Sequence, residues 1–273
     1  MSPGMDSPRS AAKRGFAAAM SVLAPVRSGL SVVALLAWMV LGGTYQRLVV
    51  YPLVFLWPRR RSALSSTYFR GMSHGILLCM RLGGATLRRT GTVSTASPAL
   101  VIMNHQSLLD IPTAGLMCSP LVPWFVTRRR YQYGIPSVSP CLRLMGCPVI
   151  EPRKREASLR TMRQAARALE HGMLVFAEGH RSPDGEVLPF QTAGILAMLR
   201  ERRMPVWLVV TDGFWSARRL VDSVFGLGRI RGETEVVGVF EPPADDAALP
   251  AFVERLRETM IAHLVLMRRR RAA

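Results

Sequence analysis

Residues 99–110 read Ala99-Leu100-Val101-Ile102-Met103 and then Asn104-His105-Gln106-Ser107-Leu108-Leu109-Asp110. The apolar run follows Pro98 and has the length of a buried strand, so the polar cluster lies at its carboxyl end, where open α/β sheets place their ligands. His105 and Asp110 are five residues apart, and a regular helix would leave them about 140° apart on different faces. They meet only if the backbone between them turns. Either Ser107 caps a helix with Asp110 three residues on, or Asp110 is itself the cap with Pro112 in the first turn. In both cases Asp110 can accept from one ring nitrogen of His105, fix the tautomer and leave the other nitrogen as a base.

The same pattern returns at Leu174-Val175-Phe176-Ala177-Glu178-Gly179-His180-Arg181-Ser182, an apolar run that ends in a charged loop. Gly179 permits a tight backbone there, and Arg181 offers a planar fork to an anionic group. NHQSLLD and FAEGHRS, in this order and about 70 residues apart, resemble the NHxxxxD and FPEGTRS motifs of the glycerolipid acyltransferase family. The resemblance covers roughly residues 85–240, and two motifs in order are far more specific than either alone.

The resemblance implies transfer of a fatty acyl group from a thioester, on coenzyme A or acyl carrier protein, to a hydroxyl of a lysophospholipid. The acceptor it points to is 1-acylglycerol-3-phosphate, giving phosphatidic acid. His105 is then the general base and Asp110 its orienting partner, with no metal or bound cofactor required. Glu178, Gly179 and Arg181 correspond to the acceptor site, the arginine pairing with phosphate. Asn104 and Ser107 complete the expected substrate-binding set. In the family's G-x-x-F-I-[DE]-R block, which answers here to Gly146 through Pro152, proline holds the arginine's place and Arg153 comes one later. Two further departures concern the acceptor: the family's threonine is His180, and a lysine frequent after the Pro-Phe pair is Gln191. A missing cation leaves open another lyso-lipid acceptor, such as one containing ornithine.

Length and composition frame these motifs. A chain of 273 residues suits one α/β domain of about 200 residues with terminal appendages. Hydrophobic residues make up 49% and the mean hydropathy is +0.19, high for a wholly soluble protein. With 36 Lys+Arg against 18 Asp+Glu the net charge is +18, mostly arginine, which implies an anionic partner: nucleic acid, lipid headgroups or an acidic acyl carrier. A non-catalytic basic membrane or nucleic-acid-binding protein is the rival class. The chain lacks a helix-turn-helix, zinc-finger or RNA-binding signature, so nucleic acid is not the expected partner. Cys79, Cys118, Cys141 and Cys147 show no metal-ligand or disulfide spacing and read as buried thiols.

Along the chain, residues 1–27 are expected to be a disordered basic tail. Gly29 to Gly43 carries no charge, and a second apolar run from Leu48 to Pro58 ends at Arg59-Arg60-Arg61. Residues 28–61 therefore read as a membrane-associated helical hairpin or anchor whose basic flanks both favour the cytoplasmic side of an inner or cytoplasmic membrane. Residues 62–245 form the expected acyltransferase α/β domain, foldable without residues 1–61. Within it, 68–82 reads as a helix, 85–93 as a short hairpin, 122–126 as a strand before the triple arginine 128–130, and 158–170 as a crossover helix stopped by His171-Gly172. Residues 246–273 read as an amphipathic helix (Phe252, Leu256, Met260, Leu264) with a basic tail, packed on the domain. The fold class expected is α/β: a single mixed, largely parallel sheet flanked by helices, with an N-terminal membrane-associated helical segment.

Overall fold

The computed structural model describes residues 8–215 and 227–272. Its six-stranded sheet is built around β3 (Ala99–Met103), every residue of which is buried. On one side β8 (Gly172–Phe176) pairs in parallel with β3, and β5 (Trp124–Phe125) in parallel with β8. On the other, β9 (Val206–Asp212) is parallel to β3, β10 (Arg231–Phe240) is antiparallel to β9, and β1 (Thr86–Thr90) lies parallel to β10 at the edge. The sheet is thus mixed and mostly parallel. Two small parallel pairs stand apart, β2 (Val93–Ser94) with β4 (Cys118–Ser119) and β6 (Thr127–Arg128) with β7 (Val149–Ile150).

Alternation along β3 divides the core. Leu100 and Ile102 join a cluster with Met162 and Ala166 of α6 (Arg155–Arg167), Ile195 and Met198 of α7 (Thr192–Glu201), and Leu256, Met260 and Leu264 of α8 (Leu249–Ala272). Val101 and Met103 face Tyr68 and Met72 of α3 (Arg61–Leu82), Ala114 of α4 (Asp110–Met117) and Leu144 of α5 (Val138–Met145). Helices thus cover both faces, as parallel strands buried on two sides require. The stripe Phe252, Leu256, Met260 and Leu264 does pack on the domain. The four cysteines are free and buried.

Three local expectations are corrected. Residues 85–93 do not form a hairpin: Gly91 turns the chain at φ +89°, sending β1 to the distant β10 and β2 to β4. The crossover helix is α6, starting at Arg155 and ending at Arg167, and Gly172 is the first residue of β8 rather than a helix stop. A Cβ on Gly172 would sit 2.6 Å from Thr95 Cγ2, so close packing explains this glycine. The amino-terminal helix α1 (Pro8–Tyr45) already includes residues 8–27, expected as a disordered tail; residues 1–7 lie outside the described residues.

Helix α1 continues through a π-turn (Gln46–Val50) into α2 (Tyr51–Leu56). Pro52 brings no N–H to the helix, and the widened turn just before it makes room for its ring. A turn at Trp57–Arg60 then leads into α3, which returns along α1. Tyr68 Oη donates to Gly42 O at 3.1 Å, Trp38 Nε1 to Met72 O at 3.2 Å, and Ser31 Oγ to Cys79 O, the ladder of an antiparallel helix pair. The hairpin expected within 28–61 is therefore formed by α1 with α3. Val32 and Leu35 are buried against Leu77, Met80 and Phe214, so removing residues 1–61 would uncover part of the core. The deletion expected to leave the α/β domain folded would thus expose Leu77, Met80 and Phe214. Ala24–Leu56 is long and apolar enough to cross a membrane, with hydropathy 1.7 and 22% of its most apolar window buried.

Candidate active site

The site lies where β3 and β8 end. Chain leaving β3 is caught at once by β9: Asn104 Nδ2 donates to Thr211 O and Thr211 N to Asn104 Oδ1, both at 2.8 Å. This buried amide prolongs the β3–β9 pairing by one residue, so Asn104 serves the loop's anchorage. His105 follows, with 13% of its side chain exposed and its ring stacked on Phe176 at a centroid distance of 3.9 Å.

Of the two helix caps proposed from the sequence, the one led by Ser107 has its bonds: Ser107 Oγ accepts from Leu109 N at 3.3 Å, and the Asp110 side chain three residues on accepts from Ser107 N at 2.8 Å. The regular part of α4 begins at Asp110, after the turn in which Asp110 N donates to Ser107 O at 3.2 Å, and the Leu109 side chain itself caps nothing. The Asp110 carboxylate turns back over the loop beyond Ser107, and its Oδ2 accepts from Gln106 N at 2.6 Å and His105 Nδ1 at 2.8 Å as well as from Ser107 N at 2.8 Å. Two backbone amides therefore hold the carboxylate that holds the imidazole. Asp110 has no measurable exposure, and its Oδ1 has no hydrogen-bond partner among the described residues. With Nδ1 held by Asp110, Nε2 is the nitrogen that can do chemistry. Ser107 is buried and its Oγ accepts from Leu109 N at 3.3 Å, which places it in the loop's framework.

Strand β8 supplies the second motif. Glu178 Oε2 accepts from His105 N and Oε1 from Leu188 N, each at 3.0 Å, so one fully buried carboxyl group ties the two motif loops together. Burial pushes its pKa up to about 7, although both amide bonds pull the other way. Gly179 adopts φ +71°, a conformation that favours glycine, and its N–H donates to Phe176 O at 3.0 Å. Its carbonyl accepts from Arg128, the first residue of the triple arginine. Gly179 and His180 are exposed, and Arg181 is half-buried beside them. Arg153 is exposed on the turn before α6, and no contact among the described residues joins it to the His105 cluster. Gln191 lies against Gly179, its Cγ 3.1 Å from where a Cβ would be.

Several participants were invisible to motif spacing. Ser182 N donates to His105 O at 2.7 Å, binding the end of the second motif to the first. Gln106, fully buried, donates from Nε2 to Gly185 O at 2.9 Å and Asp212 Oδ1 at 3.3 Å, and accepts from Phe214 N at 3.1 Å. Gln106 and Phe176 lie inside the two motifs and could have been singled out there; Asp212 carries no comparable signal.

Residues 84–210 match the model of the acyltransferase family. Among curated proteins, none matches the chain. Among solved structures, the chain is similar to the crystal structure of the 1-acyl-sn-glycerophosphate (LPA) acyltransferase, PlsC, from Thermotoga maritima, with 19% identity and a TM-score of 0.64, over 88% of this chain and 97% of that one. At that identity the likeness is one of fold. The span that matches the acyltransferase family contains both motifs and the His105–Asp110 pair.

Proposed function

We propose that the chain moves a fatty acyl group from acyl-CoA or acyl carrier protein to the free hydroxyl of a lysophospholipid, with 1-acylglycerol-3-phosphate as acceptor. The observation that carries this reading is His105 Nδ1 at 2.8 Å from the buried Asp110 Oδ2, with the ring braced on Phe176. His105 Nε2 takes the hydroxyl proton as the oxygen attacks the thioester carbonyl. The tetrahedral intermediate then collapses, the C–S bond breaks, and the imidazolium returns its proton to the departing thiol. Asp110 balances the charge that His105 carries in between. General-base assistance of this kind is worth about 10²–10⁴-fold. No metal or bound cofactor enters the balance.

On the acceptor side, Gly179 and Arg181 are assigned to the phosphate and glycerol end, and Arg153 reaches it only if the β7–α6 turn closes on the lipid. Glu178 supports this region through the two amides it holds. Gln191 favours a second acceptor: a neutral side chain stands against Gly179, which suits a headgroup without a phosphomonoester, such as a lyso-ornithine lipid. The membrane face is assigned to the exposed apolar side of α1 and α2, with the site turned to the cytoplasm. Thioester release by the purified protein, measured over a panel of lyso-lipids with both donors, tests all of this. Release that depends on 1-acylglycerol-3-phosphate supports the first acceptor, and dependence on the ornithine lipid the second. No release with any acceptor, alongside retained binding to anionic vesicles or nucleic acid, would return the chain to the non-catalytic class.

A further inference from the structure

Helix α8 ends in a run of arginines, one of which reaches the motif loops. Met260, Leu264 and Met267 bury their side of the helix and fix its position. Arg268, the next residue, donates from Nη2 to Gly185 O at 2.9 Å and to Asp212 Oδ1 at 3.3 Å. These are the two oxygens to which Gln106 Nε2 also donates, at 2.9 and 3.3 Å. The backbone N–H of Gln106 in turn holds Asp110 Oδ2, the oxygen bonded to His105 Nδ1. Two oxygens thus connect the guanidinium of α8 to the residue between His105 and Ser107.

We propose that Arg268 is a positioning residue for the His105–Asp110 pair: by holding Gly185 O and Asp212 in place, it fixes the amide of Gln106 and through it the carboxylate that orients the imidazole. Asp212 is buried, and the cations of Arg268 and Arg271 (Nη2 3.0 Å from Asp212 Oδ2) offset its charge. Without Arg268 the Gly185 carbonyl loses a charged donor, and the Asp212 carboxylate is left to one arginine and the Gln106 amide. The loop then has room to shift, and a displacement near 1 Å at a catalytic group can cost about 10²-fold. The link to Glu186, which is well exposed, is expected to matter little.

This inference rests on the proposed role of His105, and the test separates the two. In the full-length protein, Arg268→Ala, Arg268→Lys and Glu186→Gln are compared by kcat and KM for donor and acceptor, and by amide hydrogen exchange in a peptide spanning 104–110. Arg268→Ala should lower kcat about ten- to a hundredfold, leave both KM values within about twofold, and speed exchange at the Gln106 and Ser107 amides that Asp110 holds. Arg268→Lys, which keeps the charge without the fork, should lie between it and the wild type; Glu186→Gln should match the wild type. Wild-type exchange at 104–110 in Arg268→Ala, with disturbance confined to α8, would overturn the proposal and leave Arg268 a staple of that helix. If Arg268→Ala does not fold, wild-type exchange and kcat in Arg268→Lys overturn it equally. Retained activity in His105→Ala would sink the general-base reading alone, since the exchange result still decides for or against Arg268.

Discussion

The loops at the ends of β3 and β8 and the helix formed by α1 and α2 are opposites in how they treat polarity. At the loops, Asn104, Gln106, Asp110 and Glu178 are buried polar groups bonded to backbone or side-chain partners within the protein. On the helix, Leu30, Val33, Leu41, Leu48 and Phe55 are apolar groups left exposed, Phe55 to 85%. Buried polar groups are stable only when satisfied, and a continuous exposed apolar face signals a partner other than water. The first region finds nearly all its partners within the chain, Asp110 Oδ1 being the exception among the described residues. The second leaves an apolar face that nothing among the described residues covers.

The sharpest way to break the comparison is to remove the group around which the loops are organised. His105→Ala should cost at least about 10²-fold in acyl transfer, with little loss of thermal stability because the ring is on a loop; activity above a hundredth of wild type would end its role as base. For the helix, Phe55→Ser should weaken flotation with anionic vesicles by about 1.5–3 kcal/mol, the value of one large apolar side chain, and leave folding untouched. Unchanged flotation would show that another surface meets the membrane.

Glu178 tests whether the buried network tolerates a change of charge. Its folded pKa, raised to about 7 by burial, means that the folded state holds the proton more tightly than the unfolded chain. The stability it contributes is fully present below the unfolded value of 4.5 and is lost as pH rises through about 7. Glu178→Gln should flatten that slope in melting experiments. It should also cost about 1–3 kcal/mol, because its NH₂ must face one of the two amides that now donate to the carboxylate. A slope that survives the substitution would assign the titration to another group.

The smallest effects concern the acceptor. Arg181→Lys should raise the acceptor KM by a few-fold, about 0.5–1 kcal/mol, by losing the bidentate fork while keeping the charge. Gln191→Lys should improve phosphate-bearing acceptors by a similar margin and leave others unchanged. Equal effects on acceptors with and without a phosphomonoester would favour the ornithine lipid.

What could be read in the chain was what lies close together in it. β3 and β8 are continuous apolar runs, and each motif follows its strand directly, so both strand ends and the His105–Asp110 meeting were legible. The route by which they meet was legible in part: the Ser107 cap with Asp110 three residues on was one of two readings, whereas the further bond of Asp110 Oδ2 to Gln106 N has no signature in the sequence. Pairings over long separations were lost altogether. Thr86 opposite Arg231 turned an expected hairpin into an edge strand, and the contact of Arg268 with Gly185 lies beyond any local pattern. The helical hairpin was half legible: the apolar run was plain, but its returning limb, α3, is less apolar and carries arginines.

The pairing of β3 with β9 through Asn104 and Thr211 has a consequence in time. On the ribosome the apolar helix ending at Leu56 is made well before Thr211, and earlier still than Arg268. At about 5–20 residues per second, the interval from Leu56 to Arg268 lasts roughly 10–40 s. Through that interval the chain displays its exposed apolar surface, while the loop carrying His105, once made, lacks first Thr211 and then Arg268. The exposed apolar helix is therefore complete before the His105 loop has all the contacts that hold it.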